Sequence, residues 1–148
     1  MNSAKPEADL HIHTYYSDGV MSPTEIIEYA KRKKLLAISI TDHDTVNGID
    51  ESIKLASKTN LILIPGIELS TEYKSNEIHI LCYFMNHQNN SIKKLLEKLH
   101  EERLENAETI IKNLSLQGIK LNWDDIKTKT KKSIGRPHIA REMVKKGY

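Results

Sequence analysis

The sequence predicts an α/β fold over residues 1–88, followed by an all-helical unit over residues 89–148. Three observations carry this expectation. Strand-like and helix-like segments alternate through the first part, the grammar of βαβ units with parallel strands. Histidines and carboxylates recur where those strands end, which is where parallel α/β folds place their active sites. From Ser91 onward, apolar residues return at helical rather than strand spacing.

Residues 9–13 alternate polar and apolar side chains and form the first strand, with Asp9, His11 and His13 projecting to one face. A loop containing Ser17-Asp18-Gly19 follows. Ser22-Pro23-Thr24-Glu25 then starts a helix: Ser as N-cap, Pro at the first helical position, Glu three residues after the cap. Ile26, Ile27 and Ala30 supply its buried stripe. Residues 35–41 are an apolar run suited to a buried parallel strand, ending at Asp42-His43-Asp44-Thr45, and a second helix is expected over 46–58. Residues 61–64 form a third strand, which Pro65-Gly66 is expected to break before 67–71 continues in extended form. Residues 77–84 form a fourth. In the second part, Ile92, Leu95, Leu96, Leu99, Ala107, Ile110, Ile111 and Leu114 mark one long helix over 91–117, capped by Gly118. Short helices are expected near 123–127 and over 137–146, the latter ended by Gly147.

A chain of 148 residues with 39% hydrophobic and 28% charged residues can bury a core, which excludes a disordered protein. No stretch approaches the ~18 apolar residues of a membrane span, and residues 1–8 hold no apolar region suited to a secretory signal. The single cysteine, Cys82, excludes an intrachain disulfide, so a cytoplasmic location is expected. The net charge of +2 conceals an asymmetry: residues 126–148 hold eight Lys/Arg against one acid, Glu142. A basic tail suits an anion such as phosphate, with a solvated lysine-rich surface as the equal alternative.

Every candidate ligand in the first part sits at or just after a strand end. His11 and His13 end the first strand, Asp18 lies in its loop, and His43 follows the second. Glu68 comes after the third and His79 lies within the fourth. Each has an ordinary explanation taken alone: an incidental His-x-His, a helix cap, a surface acid, a core histidine. Their joint recurrence at one rim is far harder to explain that way. The mixed nitrogen and oxygen donor set suits Zn, Mn or Fe better than Ca, which takes oxygen ligands. Asp9 is expected to orient a ligand imidazole. His87, in a polar loop, and His100, on a solvated helix, are expected to hold no ligand role, and Cys82 to be a small core residue.

These segments resemble the PHP family, the polymerase and histidinol phosphatase superfamily. The resemblance rests on Asp9-Leu10-His11-Ile12-His13-Thr14, Ser17-Asp18-Gly19, Thr41-Asp42-His43-Asp44-Thr45, Pro65-Gly66-Ile67-Glu68 and Glu77-Ile78-His79-Ile80. It implies a distorted (β/α)7 barrel, with residues 1–88 as its N-terminal part and residues 89–148 as a helical insertion subdomain. It further implies that His11, His13, Asp18, His43, Glu68 and His79 are metal ligands, with Glu68 bridging two ions. Two or three divalent ions are expected, manganese first, with zinc, iron or magnesium as alternatives.

The helical part is similar to that of nucleoside 3′,5′-bisphosphate phosphatases and a related 5′-to-3′ exoribonuclease, where a segment like residues 135–141 lies near the substrate. Arg136 has the planar fork of a phosphate clamp, and the helix starting at Pro137 offers free backbone N–H groups. His138 is a candidate donor to the leaving oxygen. The alternative is that Arg136 and His138 only cap and pack that helix.

The family pattern also includes a later Ala-His-Pro segment and a terminal Asp-x-His pair, and neither occurs here. The expectation is therefore an N-terminal portion of a longer protein, holding an incomplete metal site. The expected activity is metal-dependent hydrolysis of a phosphate ester, with His43, Glu68, Arg136 and His138 as catalytic residues. Its expected partner is a phosphorylated small molecule or nucleotide, extending to short RNA, with no membrane and no DNA. Two rivals stand beside this: another small phosphomonoester as substrate, or a noncatalytic metal- or nucleic-acid-binding remnant.

Overall fold

The computed structural model describes residues 7–127 and 133–148. Lys129, Lys131 and Lys132 of the basic tail lie outside those residues, as do residues 1–6 of the polar N-terminus. The elements run β1 (Ala8–Ile12), α1 (Pro23–Arg32), β2 (Ala37–Ile40), α2 (Ile49–Ala56), β3 (Ile62–Tyr73), β4 (Asn76–Tyr83), α3 (Asn90–Leu116), α4 (Trp123–Lys127) and α5 (Arg136–Lys145).

The four strands form one sheet in the order β1-β2-β3-β4. β1 pairs with β2, and β2 with β3, in parallel, as the alternating pattern predicts. β4 departs from the expected βαβ grammar: it pairs antiparallel with β3, Tyr73 opposite Asn76. The two are joined through Lys74 and Ser75, both at positive φ (49° and 62°), the backbone that a two-residue hairpin turn requires. Pro65-Gly66 does not break β3 either. Pro65 is the last residue of β3 in register with β2, and Gly66 the first paired with β4, so the missing proline donor falls just before pairing with β4 begins. Gly66 is needed there for close approach, because a Cβ would lie 2.4 Å from Ser39 Oγ.

α1 begins as expected. Ser22 Oγ accepts the Glu25 N–H at 3.2 Å, and Glu25 Oε2 accepts the Ser22 N–H at 2.8 Å, a reciprocal cap. α2 starts three residues later than its pattern suggests. Asp44 takes a left-handed conformation (φ 51°), so the chain turns before it can enter a helix. Ile26, Ile27 and Ala30 pack with Ile38, Ala56 and Leu61 into a core between α1, α2 and the sheet. A second core joins α3, α4 and α5 through Ala107, Ile111, Ile126, Ile134 and Ile139. Gly118 and Gly147 adopt positive φ after α3 and α5, as C-terminal caps do. Cys82 is half-buried on β4 rather than in either core. Among the described residues, no helix is long and apolar enough to cross a membrane.

Candidate metal centre

Strand register assembles the site. His43 forms an isolated parallel bridge with Glu68, extending the sheet by one step beyond β2. The Asp44 N–H donates to the Glu68 carbonyl at 3.0 Å, and the Glu68 N–H to the Asp42 carbonyl at 3.3 Å. Across the hairpin Glu68 faces Leu81 and Ser70 faces His79, so His79 is a diagonal neighbour of Glu68 on the same face. β1 and its following loop bring His11, His13 and Asp18 to the same rim.

Glu68 is the hub of the arrangement. Its Oε2 lies 2.8 Å from His11 Nε2 and 3.0 Å from His13 Nε2, and its Oε1 lies 2.9 Å from His79 Nδ1. Asp18 stands opposite, 3.3 Å from His13 Nδ1 and 3.7 Å from His43 Nε2. Three overlapping groupings result: His11 with His13 and Glu68, His13 with Asp18 and His43, and His43 with Glu68 and His79. In each, the potential ligand atoms lie within 4.8 Å of one another. The structure thus brings together all six residues expected as ligands.

The surroundings fit cations. His43 Nδ1 is buried without a hydrogen-bond partner and stands 3.8 Å from Glu68 Oε2. Such a nitrogen is costly to bury unless something accepts its lone pair or its proton, and a cation shared with the carboxylate does the former. Burial, against the pull of Asp18 and Glu68, holds the His43 imidazole below its ordinary pKa, favouring the neutral ligand form. Burial pushes the Glu68 carboxyl up, but the His11 hydrogen bond and the surrounding imidazoles outweigh it and leave Glu68 below its ordinary value.

Asp42 holds the ligand loop from behind. Its Oδ1 accepts the Thr14 N–H at 2.7 Å and the Ser17 hydroxyl at 2.6 Å, and its Oδ2 accepts the Thr14 hydroxyl at 2.6 Å. These bonds fix the chain between His13 and Asp18. Asp42→Ala leaves three buried donors unsatisfied and should cost about 3 kcal/mol of stability. Asp42→Asn retains one oxygen and should cost about 1 kcal/mol. Urea unfolding of both variants measures the difference, and equal losses would show that the hydrogen bonds are not what matters. Asp9 does not play its expected part: its carboxylate accepts the backbone N–H of His11 at 3.2 Å, not an imidazole. His87 stands apart from the rim, its Nε2 2.8 Å from Oδ1 of the exposed Asp50.

A cleft of roughly 980 Å³ opens beside the rim, between the β3–β4 hairpin, α3 and the start of α5. Asp18, His43 and His79 line one side, and Arg103 and Arg136 another. Arg136 is largely exposed and its Nη2 rests 2.6 Å from Glu77 Oε2, while Glu77 Oε1 lies 3.0 Å from His79 Nε2. That histidine first and Arg136 second hold the Glu77 carboxyl below its ordinary value. His138 is half-buried beside this cleft rather than in its lining, and its Nδ1 accepts the Gly135 N–H at 3.1 Å. Burial and then the nearby Arg141 hold His138 below its ordinary pKa. Arg141 donates twice to the Asp18 carbonyl, at 3.1 and 3.0 Å, tying α5 to the ligand loop. Arg103 is the cleft residue that sequence reasoning missed. The available signal was a charge on the apolar stripe of α3, four residues from both Leu99 and Ala107.

Residues 9–142 match the profile of the PHP domain. The chain is 34% identical over 139 residues to a 5′-3′ exoribonuclease of Haemophilus influenzae, covering 94% of this chain and 51% of that protein. It is 29% identical over 145 residues to a 3′,5′-nucleoside bisphosphate phosphatase of Chromobacterium violaceum, covering 94% and 50%. A solved structure from Bifidobacterium adolescentis, named as a candidate metal-dependent phosphoesterase, superposes with a TM-score of 0.89 at 30% identity, over 97% of this chain and 51% of its own. An amidohydrolase from Chromobacterium violaceum, solved with sulfate and no metal, gives 0.87 at 29% identity, over 95% and 50%. The chain spans about half the length of these relatives.

Proposed function

This chain belongs to the PHP domain family and folds as part of a PHP-type barrel, and from that premise we propose that its protein is a metal-dependent phosphoesterase acting on a nucleotide. The observation that carries the reading is the shared carboxylate: Glu68 enters two of the three ligand groupings, as a residue bridging two cations must. We assign His11, His13, Asp18, His43, Glu68 and His79 as ligands of two or three divalent ions, manganese first. Residues 89–148 are read as an insertion that forms the far wall of the cleft.

Bound ions would supply Lewis acidity, acidifying a water into the nucleophile and offsetting charge on the phosphoryl oxygens. The chain's own residues do the rest. Glu68 and Asp18 keep the imidazoles apart and aimed inward. Arg136 is held by Glu77 until a phosphate, a better bidentate partner, takes its guanidinium. Arg141 latches α5 to the loop that carries Asp18, and His138 caps the start of α5, so the clamp is held near the rim. The preference for a 3′,5′-bisphosphate or an RNA 5′ end is supported by the names of the two relatives and by a cleft with more room than one phosphate needs.

The test is metal content by elemental analysis together with Mn-dependent phosphate release from adenosine 3′,5′-bisphosphate, on this chain and on its full-length protein. Bound ions with phosphate release support the assignment. Bound ions with no release from any phosphoester leave the noncatalytic binding module. Arg136→Ala should raise KM for the bisphosphate about 10- to 100-fold, the worth of a charged hydrogen-bond pair, with kcat changed less than about 3-fold. An unchanged KM removes Arg136 from substrate binding.

A further inference from the structure

Arg103 lies where a leucine or alanine would continue the buried stripe of α3, and only 17% of its side chain is exposed. Its guanidinium reaches three separate segments. Nε donates to Asp44 Oδ2, Nη2 donates to Ser70 Oγ at 2.6 Å, and Nη1 donates to the Ile134 carbonyl at 3.4 Å. Asp44 is fully enclosed, with 0% of its side chain exposed. Its Oδ1 also accepts the Ser70 N–H at 2.8 Å. At Gly135 an added Cβ would come 3.2 Å from Arg103 Nη1, so the segment before α5 runs close against the guanidinium.

The positions of those partners matter more than their number. Asp44 follows His43, Ser70 is two residues beyond Glu68, and Ile134 is two residues before Arg136. One side chain therefore joins the metal rim to the proposed phosphate clamp. A buried ion pair is weak evidence of stabilisation, because desolvation offsets the attraction. What a planar fork supplies, and a lysine point charge does not, is fixed direction toward several acceptors at once.

We infer that Arg103 is a positioning residue that sets the spacing between the metal rim and the anion-binding start of α5. The inference rests on reading Arg136 as the phosphate clamp. Its role is to hold Asp44 and Ser70 on one side and Ile134 on the other, so that a phosphoester spanning ions and clamp meets both.

The test is Arg103→Lys, read by hydrogen exchange and by substrate kinetics of the Mn-loaded full-length protein. Manganese content should match the wild type. The amides of Ser70 on one side, and of Ser133 and His138 on the other, should exchange faster together. KM for adenosine 3′,5′-bisphosphate should rise about 10- to 100-fold, as misplacement of a binding group does, and this rise should vanish in an Arg136→Ala background. Unchanged exchange, acceleration on one side only, or a KM effect of equal size in both backgrounds would overturn the inference. Should the wild type turn over no nucleotide, the phosphoesterase reading fails while the exchange result still decides the spacing role. If Arg103→Lys does not fold, the neutral pair Arg103→Met with Asp44→Asn takes its place and is judged by the same exchange criteria.

Discussion

Replacing Glu68 with glutamine should strip the centre of its metal. Glutamine keeps the shape of the side chain and one carbonyl oxygen, so packing at this buried position on β3 is little disturbed. What it loses is the charge and the second anionic oxygen. The carboxylate lies within 3.0 Å of His11, His13 and His79 and enters two of the three ligand groupings. A four-ligand structural zinc site binds with about 10–16 kcal/mol, so one ligand accounts for at most roughly 3–4 kcal/mol, or a 10²- to 10³-fold loss of affinity. Manganese, which binds more weakly, should lose less. Elemental analysis after dialysis against micromolar manganese should find fewer ions per chain than in the wild type. Thermal unfolding gives a second reading. Manganese at about 100 times its Kd should stabilise the wild type by roughly 2.7 kcal/mol, and should leave Glu68→Gln where EDTA leaves it. Asp18→Asn, a member of one grouping, should lose less. Wild-type metal content in Glu68→Gln would mean that the carboxylate is not shared between ions.

The convergence of the six candidate ligands on one rim was legible in the sequence because their spacing follows strand geometry. His11 and His13 are two residues apart, and His43 and Glu68 come just after apolar runs, so period and position both pointed to one rim. The direction of β4 was not legible. A strand's own pattern does not reveal which way its partner runs, and the usual hairpin marker, Asn-Gly or Asp-Gly, is replaced here by Lys74-Ser75. Pro65-Gly66 misled for a related reason. A proline normally ends a central strand, but Pro65 is the last residue of β3 in register with β2, and pairing with β4 begins at Gly66 and carries the strand on.

Side-chain partnerships between distant segments were the least visible. Asp9, on the same face as His11, was the natural candidate to support an imidazole, yet a nearby backbone N–H captured it. His138 was singled out for chemistry because of its type, whereas the fold engages its Nδ1 in capping α5. Arg103 drew no notice because long helices carry many charges, and only its place on the stripe set it apart. In each case the deciding fact is which acceptor lies within about 3 Å, and that depends on how α3 and α5 dock against the rim.

Asp44→Ala should be the most destabilising single change near the site. The substitution removes a carboxylate with 0% side-chain exposure and leaves Arg103, itself 17% exposed, without its counterion. Losing one partner of a buried pair costs about 3–5 kcal/mol. Asp44 also sits at φ 51°, where alanine adds roughly 1 kcal/mol of backbone strain that Asp and Asn tolerate better. A domain of this size commonly has about 5–15 kcal/mol in all, so the variant should unfold at a much lower urea concentration. Asp44→Asn separates the contributions. It keeps the left-handed backbone and an oxygen for the Ser70 N–H, so what remains is the unpaired guanidinium. Adding Arg103→Met to Asp44→Asn removes that charge and should recover most of the loss, because a neutral, well-packed pair avoids the desolvation that the ions incur. If the double variant is no more stable than Asp44→Asn alone, the hydrogen bonds that Arg103 makes to Ser70 and Ile134 are worth as much as relief of the stranded charge. The fork of Arg103 would then matter as much as its sign.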